Sequence, residues 1–122
     1  MFLAVISPSV IRGTLTPPTS KSAAHRLLIA AALAGEGRVR GLSLSADMEA
    51  TLRAVRGLGV SVRLDGDAAC FAPAPPSSSP SPLPVDCGES GSTPRFLIPL
   101  YAARGIPAVF TGHGRLPERP LG

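Results

Sequence analysis

The stretch from Pro73 to Pro84, PAPPSSSPSPLP, sets the strongest limit on how this chain folds. Six of its twelve residues are proline and four are serine. Each proline removes a backbone donor and fixes φ, which closes the segment to helix and to a central sheet ladder. The composition predicts a polyproline-like connector on the surface, at residues 73–84. Ordered structure must then come from the residues on either side.

Before the connector, Phe2 to Ile6 and Val10 to Leu15 are short apolar runs that read as strands, each cut by proline. Pro17-Pro18 gives a stiff, extended entry into Thr19-Ser20-Lys21-Ser22-Ala23-Ala24-His25-Arg26. Ser20 is a good N-cap, Ala23 to Leu33 is an unbroken run of helix formers, and Gly35 suits the C-terminal stop. Lys21, Ser22 and Arg26 therefore stand at a helix start. Unpaired N–H groups and the positive dipole end make such a place suited to phosphate or carboxylate. A Ser-Lys-Ser start is also what an ordinary cap with a solvated lysine looks like. Yet Lys21 is the single lysine among twelve Lys and Arg residues, which points to a need for a compact ammonium there.

Arg38 to Leu44 reads as a strand. Ser45 caps a second helix in which Met48, Leu52, Val55 and Leu58 recur at helical spacing, and Gly57 and Gly59 end it. Asp47 lies in its first turn, where the dipole favours an acid on position alone. Val60 to Leu64 alternates as a half-buried strand, Asp65-Gly66-Asp67 is a hairpin turn, and Ala68 to Ala72 returns. The order is β-α-β-α-β-β, so the class is α/β (α+β).

After the connector, Cys87-Gly88-Glu89-Ser90-Gly91-Ser92-Thr93-Pro94-Arg95 is a second glycine-and-hydroxyl loop leading into a helix. Ser92 or Thr93 is the expected N-cap, and Pro94 the first helical residue. Gly91 leaves room for a ligand beside the backbone, and Arg95 is the next cation. The helix continues from Phe96 to Ala103, kinked or missing one hydrogen bond at Pro99. Ala108 to Thr111 is a strand, followed by a glycine-rich loop holding Arg115 and Arg119. Three loops thus carry cations after a strand, and two of them open helices. A small, multiply anionic ligand held between helix N-termini is the physical reading.

Composition agrees with a small anion rather than a polymer. The net charge is +4, but the arginines are scattered singly from Arg12 to Arg119, and aromatics are only 4%. No basic run with interleaved aromatics appears, which argues against nucleic acid. Charged residues are 16%, so part of the surface is expected to be covered. No apolar run reaches membrane-spanning length, no signal segment is evident, and Cys70 and Cys87 read as free thiols in a cytoplasmic protein. His25 and His113 have no metal-ligand spacing, so neither metal nor cofactor is expected.

Four stretches together resemble the N-terminal part of the enolpyruvyl transferase family: SKSAAHR at 20–26, SADMEATLRAVRGLGV at 45–60, CGESGSTPRF at 87–96 and GRLPERPLG at 114–122. Lys21-Ser22, and the absence of cysteine from Gly112 to Pro120, place the resemblance in the shikimate-phosphate branch rather than the sugar-nucleotide branch. The resemblance implies a βαβαββ folding unit of an inside-out α/β barrel, present here as a partial domain. Residues 1–19 would be strands belonging with the C-terminal domain. Residues 20–72 would form the first unit, 73–84 the linker and 85–122 the start of the next.

It also implies a reaction: transfer of the enolpyruvyl group from phosphoenolpyruvate to the 5-hydroxyl of shikimate 3-phosphate. The step belongs to chorismate and aromatic amino acid biosynthesis, and glyphosate competes there. Lys21 matches the lysine that touches both substrates, with an electrostatic role. Ser22 and Arg26 match shikimate-phosphate contacts, Gly91 the glycine against which phosphoenolpyruvate packs, and Arg119 an arginine that binds it. Asp47 and Arg95 match positions near the site. The acid/base carboxylates would lie beyond Gly122, so no catalytic residue is expected within the chain. Its partner would be the C-terminal portion of the same enzyme, and it would be inactive alone. The alternative is a non-catalytic module of the same fold unit that binds small anions or a partner chain.

Overall fold

The computed structural model describes residues 2–76, 78 and 80–120. Three of the four motif-bearing stretches are described in full; the last two residues of GRLPERPLG lie outside the described residues.

Helix α1 spans Lys21–Ala34, capped by the Ser20 hydroxyl, which accepts from the Ala23 N–H at 3.3 Å. Gly35 ends it with φ +84°, donating its N–H to the Ala31 and Ala32 carbonyls. Only a residue tolerant of the left-handed region closes a helix this way without strain. Ala24, His25, Leu28, Ile29 and Ala32 form the buried stripe. Helix α2 is Ala46–Val55, capped by Ser45 and continued by a 3-10 turn, Arg56–Leu58, before Gly59. The helical path thus passes Gly57, which was expected to help end it.

Strands β1 (Gly37–Val39), β2 (Val60–Asp65) and β3 (Ala68–Pro73) form an antiparallel sheet in the order β1-β3-β2. Strand β1 is shorter than the expected Arg38 to Leu44. Gly41, at φ +73°, turns the chain, and its N–H goes to the Asp67 carboxylate at 3.2 Å while Leu42 N–H reaches the Asp67 carbonyl. The β2–β3 hairpin carries the expected Asp65-Gly66-Asp67 turn, with Gly66 at φ +58°.

The end of the proline segment is not all connector. Strand β4, Leu83–Asp86, begins inside it and pairs in parallel with β5, Ala108–Thr111. Pro84 is tolerated because this sheet has two strands, so β4 keeps an open edge where no donor is needed. Helix α3 spans Ser92–Ala103 with Pro99 inside it. Pro94 is its third residue, not its first. Neither Ser92 nor Thr93 is the cap: Gly91 holds that position without a side-chain cap bond, and the Ser90 hydroxyl just before it accepts from the Thr93 N–H at 3.3 Å.

Residues 2–19 carry no helix or strand, so the strands expected at 2–6 and 10–15 are absent here. A strand needs a ladder partner, and no described segment pairs with them. Phe2, Leu3, Val5, Ile6, Val10, Ile11 and Leu15 are each at least 80% exposed.

One aliphatic core joins both sides of the connector, from Ala24 and Leu28 through Met48 and Val55 to Leu97, Tyr101 and Leu116. Helix α2 packs against both α1 and α3. Tyr101 closes the core near Gly57. Its hydroxyl donates to the Ala54 carbonyl at 2.6 Å, and its ring stands edge-on to Phe110 at 5.2 Å. Burial pushes its phenol up to about 12.

Candidate functional site

The packing of α2 between α1 and α3 gathers three helix starts. Lys21 Nζ lies 3.9 Å from Asp47 Oδ2, joining the first turns of α1 and α2. Both side chains stay substantially exposed, 65% and 42%, so the pair contributes about 0–1 kcal/mol to folding. Its consequence is positional: the ammonium is held near a carboxylate and still faces solvent. Ser22 stands exposed beside it.

One turn into α1, His25 turns inward. Its Nδ1 is 2.9 Å from Thr51 Oγ1 on α2, which is 2.8 Å from Thr93 Oγ1 on α3. Thr93 Oγ1 in turn donates to Ser90 Oγ at 2.7 Å. Three short hydrogen bonds therefore connect the Lys21 helix start to the residue beside Gly91.

The last loop folds over the start of α3. An added Cβ at Gly91 would stand 3.3 Å from Arg119 Nη1, so this guanidinium lies directly over the glycine. Arg95 Nη2 donates to the Pro120 carbonyl at 2.8 Å, which ties the same loop down. Gly114 gives the loop its φ of +60° and makes room for the Glu89 carboxylate, with which any side chain there would collide. A small cavity of about 180 Å³ beneath Arg119 is lined by Cys87, Pro94, Thr111 and Leu116.

The structure thus brings Lys21 and Asp47 together, and Gly91 with Arg119. Arg95 serves as a strut to the loop. Arg26 edges an apolar groove of about 350 Å³ between α1 and α3, with Ile29, Leu33 and Phe96. A further hollow of about 460 Å³ lies among Arg53, Arg56, Val60, Leu83 and Tyr101. It has no helix N-terminus to bind an anion. Sequence reading missed His25, Thr51 and Ser90. The available signal was a histidine falling on the apolar stripe of α1, between Ala24 and Leu28.

A profile of the family described as EPSP synthase (3-phosphoshikimate 1-carboxyvinyltransferase) matches residues 5–122. The chain belongs to the EPSP synthase family. Proteins named 3-phosphoshikimate 1-carboxyvinyltransferase are similar to it. That of Clostridium kluyveri is 40% identical over 95% of this chain and 27% of its own length. That of Anaeromyxobacter sp. is 40% identical over 91% of this chain and 26% of its length. That of Clostridium perfringens is 36% identical over 96% of this chain and 28% of its length. The chain therefore spans little more than a quarter of these family members. No described helix is long and apolar enough to cross a membrane.

Burial pushes the His25 imidazole below its ordinary 6.5; Asp47 opposes this and Lys21 adds to it. The folded chain therefore holds His25 neutral where the unfolded chain already takes up a proton. Stability from this source is complete above pH 6.5 and is lost as the pH falls from there through the folded value. Thermal unfolding across acid pH should show this slope, and the His25→Asn variant should flatten it. Equal slopes in both would mean that another group governs the acid limb.

Proposed function

We propose that this chain is the substrate-binding N-terminal part of a 3-phosphoshikimate 1-carboxyvinyltransferase. The reaction joins the 5-hydroxyl oxygen of shikimate 3-phosphate to the enolpyruvyl group of phosphoenolpyruvate by addition, and elimination then releases phosphate. The observation that carries the reading is the meeting of helix starts that places Lys21 beside Asp47 and Arg119 over Gly91. Both substrates are phosphorylated carboxylates. Fixed ammonium, guanidinium and helix-start N–H groups suit them, and suit the charge that develops during addition.

In this reading Lys21 touches both substrates, Ser22 and Arg26 hold the shikimate phosphate, Gly91 packs against phosphoenolpyruvate and Arg119 binds it. Asp47 steadies Lys21, and Arg95 steadies the Arg119 loop through Pro120. Arg26 reaches the phosphate by swinging from its place over the apolar groove. The general acid and base come from the remainder of the protein. Residues 2–19, with their exposed apolar side chains, join that remainder as strands, while 20–72 and 85–122 belong to one substrate-binding domain.

Mixing the chain with both substrates should release no phosphate above background; clear turnover would show that the remainder is not required. Gly91→Ala offers a sharper check. Its Cβ would press on the Arg119 guanidinium at 3.3 Å, a contact that a flexible side chain relieves by moving. Phosphoenolpyruvate affinity should fall about tenfold with thermal stability nearly unchanged. Unchanged affinity would remove Gly91 from the site.

A further inference from the structure

His25, Thr51, Ser90 and Thr93 are the buried polar or charged residues among the described ones, apart from Tyr101 and Cys87, which sit in the hydrophobic core. All four belong to one hydrogen-bonded chain that crosses three helices. An aliphatic core has no need of hydroxyls there. Matched apolar replacements of such pairs are close to neutral in stability. The network therefore adds something other than stability.

Its proton order is determinate. Thr93 spends its hydroxyl hydrogen on Ser90, and Ser90 Oγ also accepts from the Thr93 N–H. The 2.8 Å contact between Thr51 and Thr93 then requires the Thr51 hydrogen. Thr51 has none left for His25, so the histidine must donate from Nδ1. The chain runs one way, from imidazole to Thr51, to Thr93, to Ser90.

We propose that His25, Thr51, Thr93 and Ser90 are positioning residues that fix the Lys21–Ser22 helix start against the Gly91–Ser92 helix start, so that the two bind one anion as a single site. This rests on the anion-site reading above and adds the device that sets its spacing. Lys21 and Asp47 are the charged groups that act on His25. The imidazole is neutral at physiological pH, so the donor from Nδ1 is constant there.

Two measurements on the 122-residue chain test this. The first is the imidazole nitrogen spectrum of the 15N-labelled protein, which should show the Nδ1–H tautomer; an Nε2–H imidazole would overturn the proton order. The second is a phosphoenolpyruvate titration followed at the Ser22 and Ser92 amides. The wild-type protein should show both amides moving with one dissociation constant. Thr51→Val removes the central hydroxyl while keeping shape, and should split the two responses and weaken binding about fivefold or more. Thr51→Ser restores the hydroxyl and should restore the single constant. If Thr51→Val binds as the wild type does, the positioning role is overturned and the anion site stands. If the wild-type amides do not respond at all, both fall. Should Thr51→Val fail to fold, Thr51→Ser decides: a split response there, with the hydroxyl present, would contradict the proposal.

Discussion

The Gly57→Ala variant is expected to lose about 2–4 kcal/mol of stability. An added Cβ would overlap the Tyr101 hydroxyl and crowd the Leu83 side chain. Tyr101 is 2% exposed and cannot retreat into solvent without opening the core. Moving it also breaks the 2.6 Å hydrogen bond to the Ala54 carbonyl and the edge-on contact with Phe110. Gly57 has an ordinary negative φ, so the cost is steric and owes nothing to backbone strain. Urea or thermal unfolding measures it directly. A variant as stable as the parent would mean that Tyr101 does not pack against this turn.

Lys21→Ala should weaken phosphoenolpyruvate binding by about tenfold or more, equivalent to at least ~1.4 kcal/mol. Its ammonium stands at a helix start, is solvent-facing and has one partial partner, Asp47 at 3.9 Å. An incoming phosphate therefore displaces little. Arg53→Ala is the matched control. Arg53 also carries a full charge, but it sits in the last turn of α2, and its guanidinium stands beside Gly88, not at the Lys21 helix start. Its loss should lower affinity less than the loss of Lys21, because its guanidinium stands beside Gly88 and not at a helix N-terminus. Stability should hardly change in Lys21→Ala, since the exposed pair contributes little to folding. Equal losses in the two variants would mean that net charge, and not the site, attracts the ligand.

Local signals carried most of the fold. Ser20, Gly35 and Ser45 are caps whose partners lie within a few residues, so α1 and the start of α2 are legible directly. The Asp65-Gly66-Asp67 turn likewise sets the β2–β3 hairpin. Strand β4 was hidden because its partner, β5, lies across a whole helix, and Pro84 reads as a strand breaker until the open edge is known. The apolar runs at 2–6 and 10–15 have strand composition, but pairing is a property of two segments, and composition reports only one. Ser92 and Thr93 were expected as the cap because hydroxyl residues cluster there, but the helix starts at Ser92, which leaves the cap position to Gly91 and the first N–H acceptor to Ser90.

The candidate site divided in the same way. Lys21 and Gly91 announce themselves through helix-start chemistry and a missing side chain. The union of Gly91 with Arg119 is long-range, and the resemblance to the family, not the spacing, pointed to it. Arg26 was read onto the phosphate by the same resemblance; in the structure it lines the groove between α1 and α3. The buried network was out of reach, because Thr51 and Thr93 are 42 residues apart and nothing local shows that their hydroxyls meet.

The most direct test of the account is a phosphoenolpyruvate titration of the 15N-labelled chain, following every backbone amide. The account predicts shifts concentrated at the helix starts, Ser22 on α1 and Gly91 and Ser92 on α3, saturating together. Shifts confined to the arginines of the sheet, such as Arg38 and Arg63, or no shift at any helix start, would contradict it.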